Sequence, residues 1–512
     1  MSLTRRSLLR SLASLAPLPL LTSCTDHKRS SQPASLSVFC AAGLRKPLEQ
    51  AATDFQTATS TQVSFQFGGS GTLLSQLKIA QTGDLFVAAD EETLTLARKL
   101  DVIREIIPLA VQTPVIAVQS GNPKGIKGVD DLLRADIRVA LANPESASIS
   151  KVVKKALGPQ WDPLVTKATV MKPTVTEIAA DLTLGAVDAA ILWDSTIPQF
   201  KGLEAVQTPA LSESREQASI AVLASCQQPQ EALRFARFLA AESKGGAAFA
   251  AHGFQHIPGD AWSDHPELIL YSGGVNRPAV ETVLRKFSDR EGISLTTVFN
   301  GCGVLCASMK AMEDASNPKF PDVYYACDLC FVPPVAEQFP EAILLTETEI
   351  GIVVKPENPK GIKTLSDLAA ENLRIGICNA EQSTLGFMTK GILKSSGLLD
   401  SIRKNVVVEV PTADFLVNQL RASSLDAAIV YKVNALAGSS DLHFIPLKHP
   451  GAKAVQPFAV RKDSPNRQSA LRLLDFLKAN RSEFESAGFL WRGNENAIKS
   501  KEIELPEWLK EK

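Results

Sequence analysis

The chain has 512 residues, 45% of them hydrophobic, and its 54 basic against 55 acidic side chains leave a net charge of −1. The length exceeds one ordinary domain, and the hydrophobic fraction suffices for true cores. Balanced charge excludes nucleic acid and acidic polymers as partners, since neither finds a basic field to bind.

The first 23 residues read as an export signal that is removed. Thr4-Arg5-Arg6-Ser7-Leu8-Leu9 is a basic opening of twin-arginine type, and the Leu/Ala/Pro stretch behind it is too short to span a bilayer. It ends at Leu21-Thr22-Ser23-Cys24, which resembles a bacterial lipobox and implies lipidation and cleavage at Cys24; an ordinary signal peptide with an incidental cysteine is the alternative. Residues 24–35 then read as a tether, 36–262 as a first domain, 263–495 as a second, and 496–512 as a charged C-terminal tail. Trp262-Ser-Asp-His-Pro266 reads as an exposed joint that lets each half fold alone. No later segment is a long uninterrupted apolar run, so the remainder reads as soluble.

From Leu36 onward strand and helix signals alternate. Leu36-Ser-Val-Phe-Cys40 is a short apolar run, residues 48–55 have helical spacing, and Val63-Ser-Phe-Gln-Phe67 alternates with period two. Residues 71–80 again read as helix and Asp84-Leu-Phe-Val-Ala88 as a third strand. This β-α-β order predicts an α/β fold with mostly parallel sheets covered by helices. About 230 residues per copy is comfortable for two lobes joined by hinge strands with a cleft between them. Residues 115–118 and 352–354 read as the crossing strands.

The chain also repeats itself. Asn122-Pro-Lys-Gly-Ile-Lys127 returns unchanged as Asn358-Pro-Lys-Gly-Ile-Lys363, 236 residues later (358 − 122), and an Asp-Leu pair follows each time, at Asp131 and Asp367. Phe67-Gly-Gly-Ser-Gly-Thr-Leu73 pairs with Phe299-Asn-Gly-Cys-Gly-Val-Leu305, and Asp188-Ala-Ala-Ile191 with Asp426-Ala-Ala-Ile429. A period this long is a duplicated domain, since solenoid units run roughly 20 to 50 residues. Asp84 and Asp322 recur, as do Asp90 and Asp328, which suggests helix caps or strand-end hydrogen bonds.

Gly68-Gly69-Ser70-Gly71-Thr72 follows a strand and opens a helix, so its backbone N–H groups are free and the helix dipole favours an anion there. The glycines let the chain approach a ligand closely, and the Ser70 hydroxyl adds a donor. No Gly-Lys-Ser/Thr follows, so this is no P-loop. Similar turns are Ala41-Ala-Gly43 and Asn143-Pro-Glu-Ser-Ala-Ser-Ile-Ser150.

These segments, with Gly83-Asp-Leu-Phe-Val-Ala-Ala-Asp90 and Gly185-Ala-Val-Asp-Ala-Ala-Ile-Leu-Trp193, resemble the periplasmic molybdate-binding proteins of ABC importers, over residues 36–258 and again over 268–491. The resemblance implies two tandem type II periplasmic-binding-protein domains, each two-lobed, and a partner permease in the membrane. It also implies a tetrahedral oxyanion, molybdate or tungstate, held by serine hydroxyls, backbone amides and a tyrosine hydroxyl without a balancing positive charge. Carried over, the ligand positions are Gly43, Ser70, Gly71, Ile149, Val175 and Trp193 in the first domain. In the second they are Val275, Cys302, Leu385, Ala413 and Tyr431. One serine position is lost in the first copy and both in the second, whereas the tyrosine survives only as Tyr431. The first cleft is therefore expected to be the better oxyanion binder.

No cofactor is implied, the six histidines show no metal-ligand pattern, and no Ser/His/Asp or Cys/His set indicates an enzyme. Cys302, Cys306, Cys327, Cys330 and Cys378 crowd into the second copy. Cys327-Asp-Leu-Cys330 has redox or metal-like spacing, and Cys302 and Cys306 are candidates to lie near it. Because Cys327 matches Ala89, a small apolar replacement is the favoured reading of it. A duplicated binding module for another anion, or one with a sensory or scaffold role, is the remaining alternative.

Overall fold

A computed structural model describes residues 34–312, 316–437 and 441–509. The expected signal and Cys24 lie outside the described residues. Each copy is built as two α/β lobes, which makes the chain two tandem type II binding-protein domains. The helix Arg45–Thr59 shows why the lobes close up. Leu48, Ala51, Ala52 and Phe55 fall at helical spacing on its buried face, and Phe55 packs on Phe235 and Phe238 at 5.0 and 5.2 Å. Ser60 ends the helix with φ 64°. In the second copy Val280, Val283, Leu284 and Phe287 repeat that face on the helix Arg277–Glu291, which Gly292 ends at φ 65°.

The first lobe of the first domain is a six-stranded sheet, in the order Gln255–His256, Ile103–Gln112, Glu216–Leu223, Leu85–Ala88, Ser35–Ala41, Gln62–Gly68. The last three strands are parallel; Glu216–Leu223 runs antiparallel to Leu85–Ala88. The second lobe orders Val170–Lys172, Val139–Ala142, Ala189–Trp193, Pro114–Gln119, Leu203–Val206. The sheets are thus more mixed than the β-α-β pattern predicted, because the chain crosses between lobes and returns through strands that must enter antiparallel.

The repeated hexapeptide is a structural turn. Asn122 and Asn358 adopt left-handed φ values of 45° and 41°. The Asn122 side chain accepts from Ile126 N at 2.9 Å and donates to Ile126 O at 2.8 Å, and Asn358 does the same with Ile362 at 3.0 and 2.7 Å. Asp131 then accepts from Lys127 N and Asp367 from Lys363 N. The recurring aspartates are also structural. Asp84 accepts from Ser37 N and Asp322 from Ile269 N, both at 2.9 Å, while Asp90 accepts from Thr93 N at 2.8 Å and Asp328 from Cys330 N at 3.0 Å.

The two hinges differ. In the second domain one fourteen-residue strand, Glu341–Val354, runs through both lobes, and Ile350 N donates to Ala452 O at 2.9 Å. Pro114 stands at the matching place in the first domain and has no N–H to give, so the strand breaks at Thr113 into Ile103–Gln112 and Pro114–Gln119. The cores follow suit: one continuous cluster fills both lobes of the second domain, whereas the lobes of the first have separate clusters. The first hinge thus lacks the backbone hydrogen bond that runs the second strand through without a break.

The described residues 496–509 dock on the second domain, where a charged tail was expected. Ile498–Lys499 pairs antiparallel with the start of Glu341–Val354. Leu509 is buried, and the Trp508 ring stands edge-on to His449 at 5.4 Å. The apolar Ile498, Trp508 and Leu509 outweigh the flanking charges and dock this segment.

The joint is likewise more than an exposed link. Ser263 to His265 are exposed, but Trp262 packs edge-on against Phe238 at 5.1 Å. Just before it, Asp260 accepts from Gln468 N at 2.7 Å and Ser469 N at 2.8 Å of the second domain. Deeper in this interface, Glu291 is buried between Arg237 of the first domain, at 3.1 Å, and Arg472 of the second, at 2.8 Å. Burial pushes the Glu291 carboxyl up, but the two guanidinium groups outweigh it and hold the group below the ordinary glutamate range.

Candidate ligand cleft

In the first domain a small cavity lies between the lobes, with about 20 Å³ open to the centre of a water-sized sphere. Four strand-to-helix transitions bring their ends to it. Ala42 and Gly43 line it ahead of the helix Arg45–Thr59, and Gly69 and Ser70 do so at the start of Ser70–Ala80. Ser148 and Ile149 open Ser148–Leu157, and Thr174 and Val175 open Val175–Thr183. First-turn N–H groups have no acceptor within their own helix, and each N-terminus carries roughly half a positive charge. Four such ends converge here, and among the described residues no charged side chain lines the cavity. The arrangement suits a small anion whose charge is met by dipoles rather than by an ion pair.

Ser70 is buried, and its Oγ accepts from Ala89 N at 3.2 Å, which leaves the hydroxyl hydrogen to donate. Trp193 is buried and lines the cavity too. Of the sequence-derived positions, Gly43, Ser70, Ile149, Val175 and Trp193 therefore meet at one place. Gly71 does not line it. Its N–H donates across the lobes to Ser146 O at 3.0 Å, so that donor is used for lobe contact and not for a ligand.

The glycines also have a different task from the one read in the sequence. A Cβ on Gly69 would lie 2.2 Å from Ser146 O and 2.8 Å from Pro173 O, and one on Gly71 would lie 2.4 Å from Glu145 O. The matching glycines repeat this: a Cβ on Gly301 would be 2.2 Å from Gln382 O and one on Gly303 would be 2.0 Å from Glu381 O. These glycines let the opposite lobe's backbone come close.

Sequence reasoning missed Ala89, Ser148 and Thr174. Thr174 was legible, because Thr174-Val-Thr-Glu177 has the sequence pattern of a helix N-cap: Oγ1 accepts from Glu177 N at 3.3 Å and donates to the Glu177 carboxylate at 2.8 Å.

In the second domain Val275, Cys302, Leu385, Ala413 and Tyr431 are all buried. The Ser70 bond recurs with sulfur, since Cys327 N donates to Cys302 Sγ at 3.0 Å. Burial pushes the Cys302 thiol up, yet the donors from Cys327 outweigh it and hold it below the ordinary cysteine range. Tyr431 Oη is buried without a hydrogen-bond partner among the described residues. Cys306 contacts the Tyr324 hydroxyl at 3.5 Å. Among the described residues no group of three or more His, Cys, Asp or Glu side chains is placed to hold a metal ion.

The family model described as bacterial extracellular solute-binding protein matches residues 36–255 and again 268–490. A protein of Haemophilus influenzae described as a binding protein is 26% identical over 205 residues, 40% of this chain and 84% of that one. The molybdate-binding protein ModA of Mycobacterium tuberculosis is 27% identical over 233 residues, 43% of this chain and 87% of its own. Among solved structures, the periplasmic molybdate-binding protein of Azotobacter vinelandii is 18% identical, covering 43% of this chain and 98% of its own with a TM-score of 0.37. With the two matched segments spanning most of its length, the chain belongs to the bacterial extracellular solute-binding proteins and carries that domain twice.

Proposed function

We propose that this protein captures a small tetrahedral oxyanion of the molybdate or tungstate class outside the cytoplasm and hands it to the membrane permease of an ABC importer, with the first domain as the working anion site. The convergence of four helix N-termini and the Ser70 hydroxyl on a cavity lined, among the described residues, by no charged side chain carries this reading. Four half-charges amount to roughly the charge of a dianion. The strand break in the hinge at Thr113–Pro114 supports it, because capture and release require the lobes to part. The relatives named for molybdate support the ligand class. The protein acts as a carrier and not as an enzyme in this reading.

Calorimetric titration of the full chain with molybdate, tungstate, sulfate and phosphate tests it. Losing a hydrogen bond to a charged group costs roughly 1.5 to 3 kcal/mol, so Ser70→Ala is expected to weaken the preferred anion about ten- to a hundredfold. Unchanged affinity in Ser70→Ala, together with lost binding on substitution of Tyr431, would assign the anion to the second cleft instead.

Anchorage by lipid at Cys24 belongs to the same reading. Several acyl chains hold a protein firmly where one holds only marginally. Cys24→Ala is expected to move the protein from the membrane fraction to the soluble fraction. Absence of lipid mass on the wild-type N-terminus would count against the anchor.

A further inference from the structure

The pocket positions of the two clefts have changed together. Ser70, Ala89 and Trp193 line the first cavity, and the residues matching them in the second domain are Cys302, Cys327 and Tyr431. The change extends behind the pocket. Ala41 becomes Gly273, and a Cβ on Gly273 would lie 2.2 Å from Cys327 Sγ, so the loss of a methyl group makes room for the thiol. The Cys327 N–H donates to Cys302 Sγ at 3.0 Å, and both cysteines are buried. Tyr431, at the position of the cavity-lining Trp193, has its hydroxyl buried without a hydrogen-bond partner among the described residues.

We propose that the second cleft is a dithiol site for a trivalent arsenic or antimony hydroxide, bound through Cys302 and Cys327 with the Tyr431 hydroxyl hydrogen-bonding the remaining metalloid hydroxyl. The proposal rests on the reading of both clefts as solute sites. The ligand class follows from the donors. Soft thiolates select soft centres, and a third cysteine, histidine or carboxylate completing a metal cage is missing among the described residues. A pyramidal trivalent hydroxide needs only two sulfurs and a partner for its third group. For arsenic, two As–O bonds break and two As–S bonds form. Each thiol proton leaves with a hydroxide as water, and arsenic stays trivalent.

The test uses the reduced full chain incubated with arsenite, desalted, and assayed for bound arsenic by elemental mass spectrometry. X-ray absorption at the arsenic edge counts its sulfur neighbours. One retained arsenic per chain with two sulfur neighbours is expected. Cys302→Ser and Cys327→Ser each remove the chelate and are expected to weaken retention roughly a hundredfold, whereas Cys226→Ser leaves it unchanged. Tyr431→Phe is expected to speed arsenic loss several-fold. No arsenic on the reduced chain, or retention by Cys302→Ser or Cys327→Ser equal to that of the wild type, would overturn the assignment. So would isolation of the pair as a disulfide that, once reduced, takes up no arsenic. Molybdate titration of the same samples reads the first cleft independently, so failure of either reading is seen separately.

Discussion

Gly69→Ala is expected to weaken anion binding by the first domain about ten- to a hundredfold while leaving the melting temperature nearly unchanged. The added methyl group would meet two backbone oxygens of the opposite lobe, at 2.2 and 2.8 Å, and backbone cannot turn aside as a side chain can. Overpacking of this kind costs roughly 1 to 3 kcal/mol, and here it falls only on the state in which the lobes touch. The cost therefore appears as lost affinity and not as lost stability. Calorimetry measures the affinity, and small-angle scattering of the ligand-saturated variant should show a more extended first domain than the wild type. An affinity equal to the wild type would mean that the lobes bind ligand without this approach. Ser70→Ala provides the contrast, since it removes a donor but leaves closure possible.

Glu291→Gln is expected to lower the melting temperature by roughly 10 °C. The substitution leaves Arg237 buried without its carboxylate and Arg472 with only Asp260, at 3.9 Å, and breaking such a group from one side costs roughly 3 to 5 kcal/mol. Because the glutamate joins both domains, differential scanning calorimetry should also show the single wild-type transition separating into two. Replacing all three, as Arg237→Met, Glu291→Leu and Arg472→Met, should recover most of the loss, since apolar packing substitutes for a buried ion cluster. A melting temperature within 2 °C or so of the wild type would show that the cluster is not closed to water. The pH dependence has a definite sign. The folded carboxyl lies below its ordinary value, so its contribution is complete above about pH 4.3 and is lost as the pH falls through the depressed folded value. The glutamine variant should lack that acid limb. The same cluster bears on the expected independence of the halves: residues 34–262 expressed alone would carry Arg237 without its carboxylate partner.

The duplication, the two-lobed α/β order, the repeated turn and the aspartate caps were legible because each rests on local spacing. Asn122 and Ile126 are four residues apart, and Asp90 caps an amide three residues on. Ser70 was legible in its strand-to-helix turn, whereas Trp193 was reached only through resemblance, which transmits a pattern of positions without needing distances. Thr174 was present as a helix N-cap and Pro114 as a strand breaker, each with a physical meaning available in the sequence. The C-terminal segment was misread because its lysines and glutamates dominate the composition, while three apolar residues decide where it packs.

What the sequence by itself determined is therefore the chain's local chemistry: where helices begin, which faces are apolar, and that one domain was written twice. Only the tertiary structure decided how distant groups use that chemistry. It turned Gly69 and Gly71 from ligand-approach residues into points where one lobe touches the other, and it joined Glu291 to Arg237 across the domain boundary. It also brought the Cys327 backbone N–H onto Cys302 Sγ across neighbouring turns. The physical reason is that backbone propensity acts over a few residues. Burial, close approach and charge pairing act over ångströms, between groups whose separation along the chain carries no information about their separation in space.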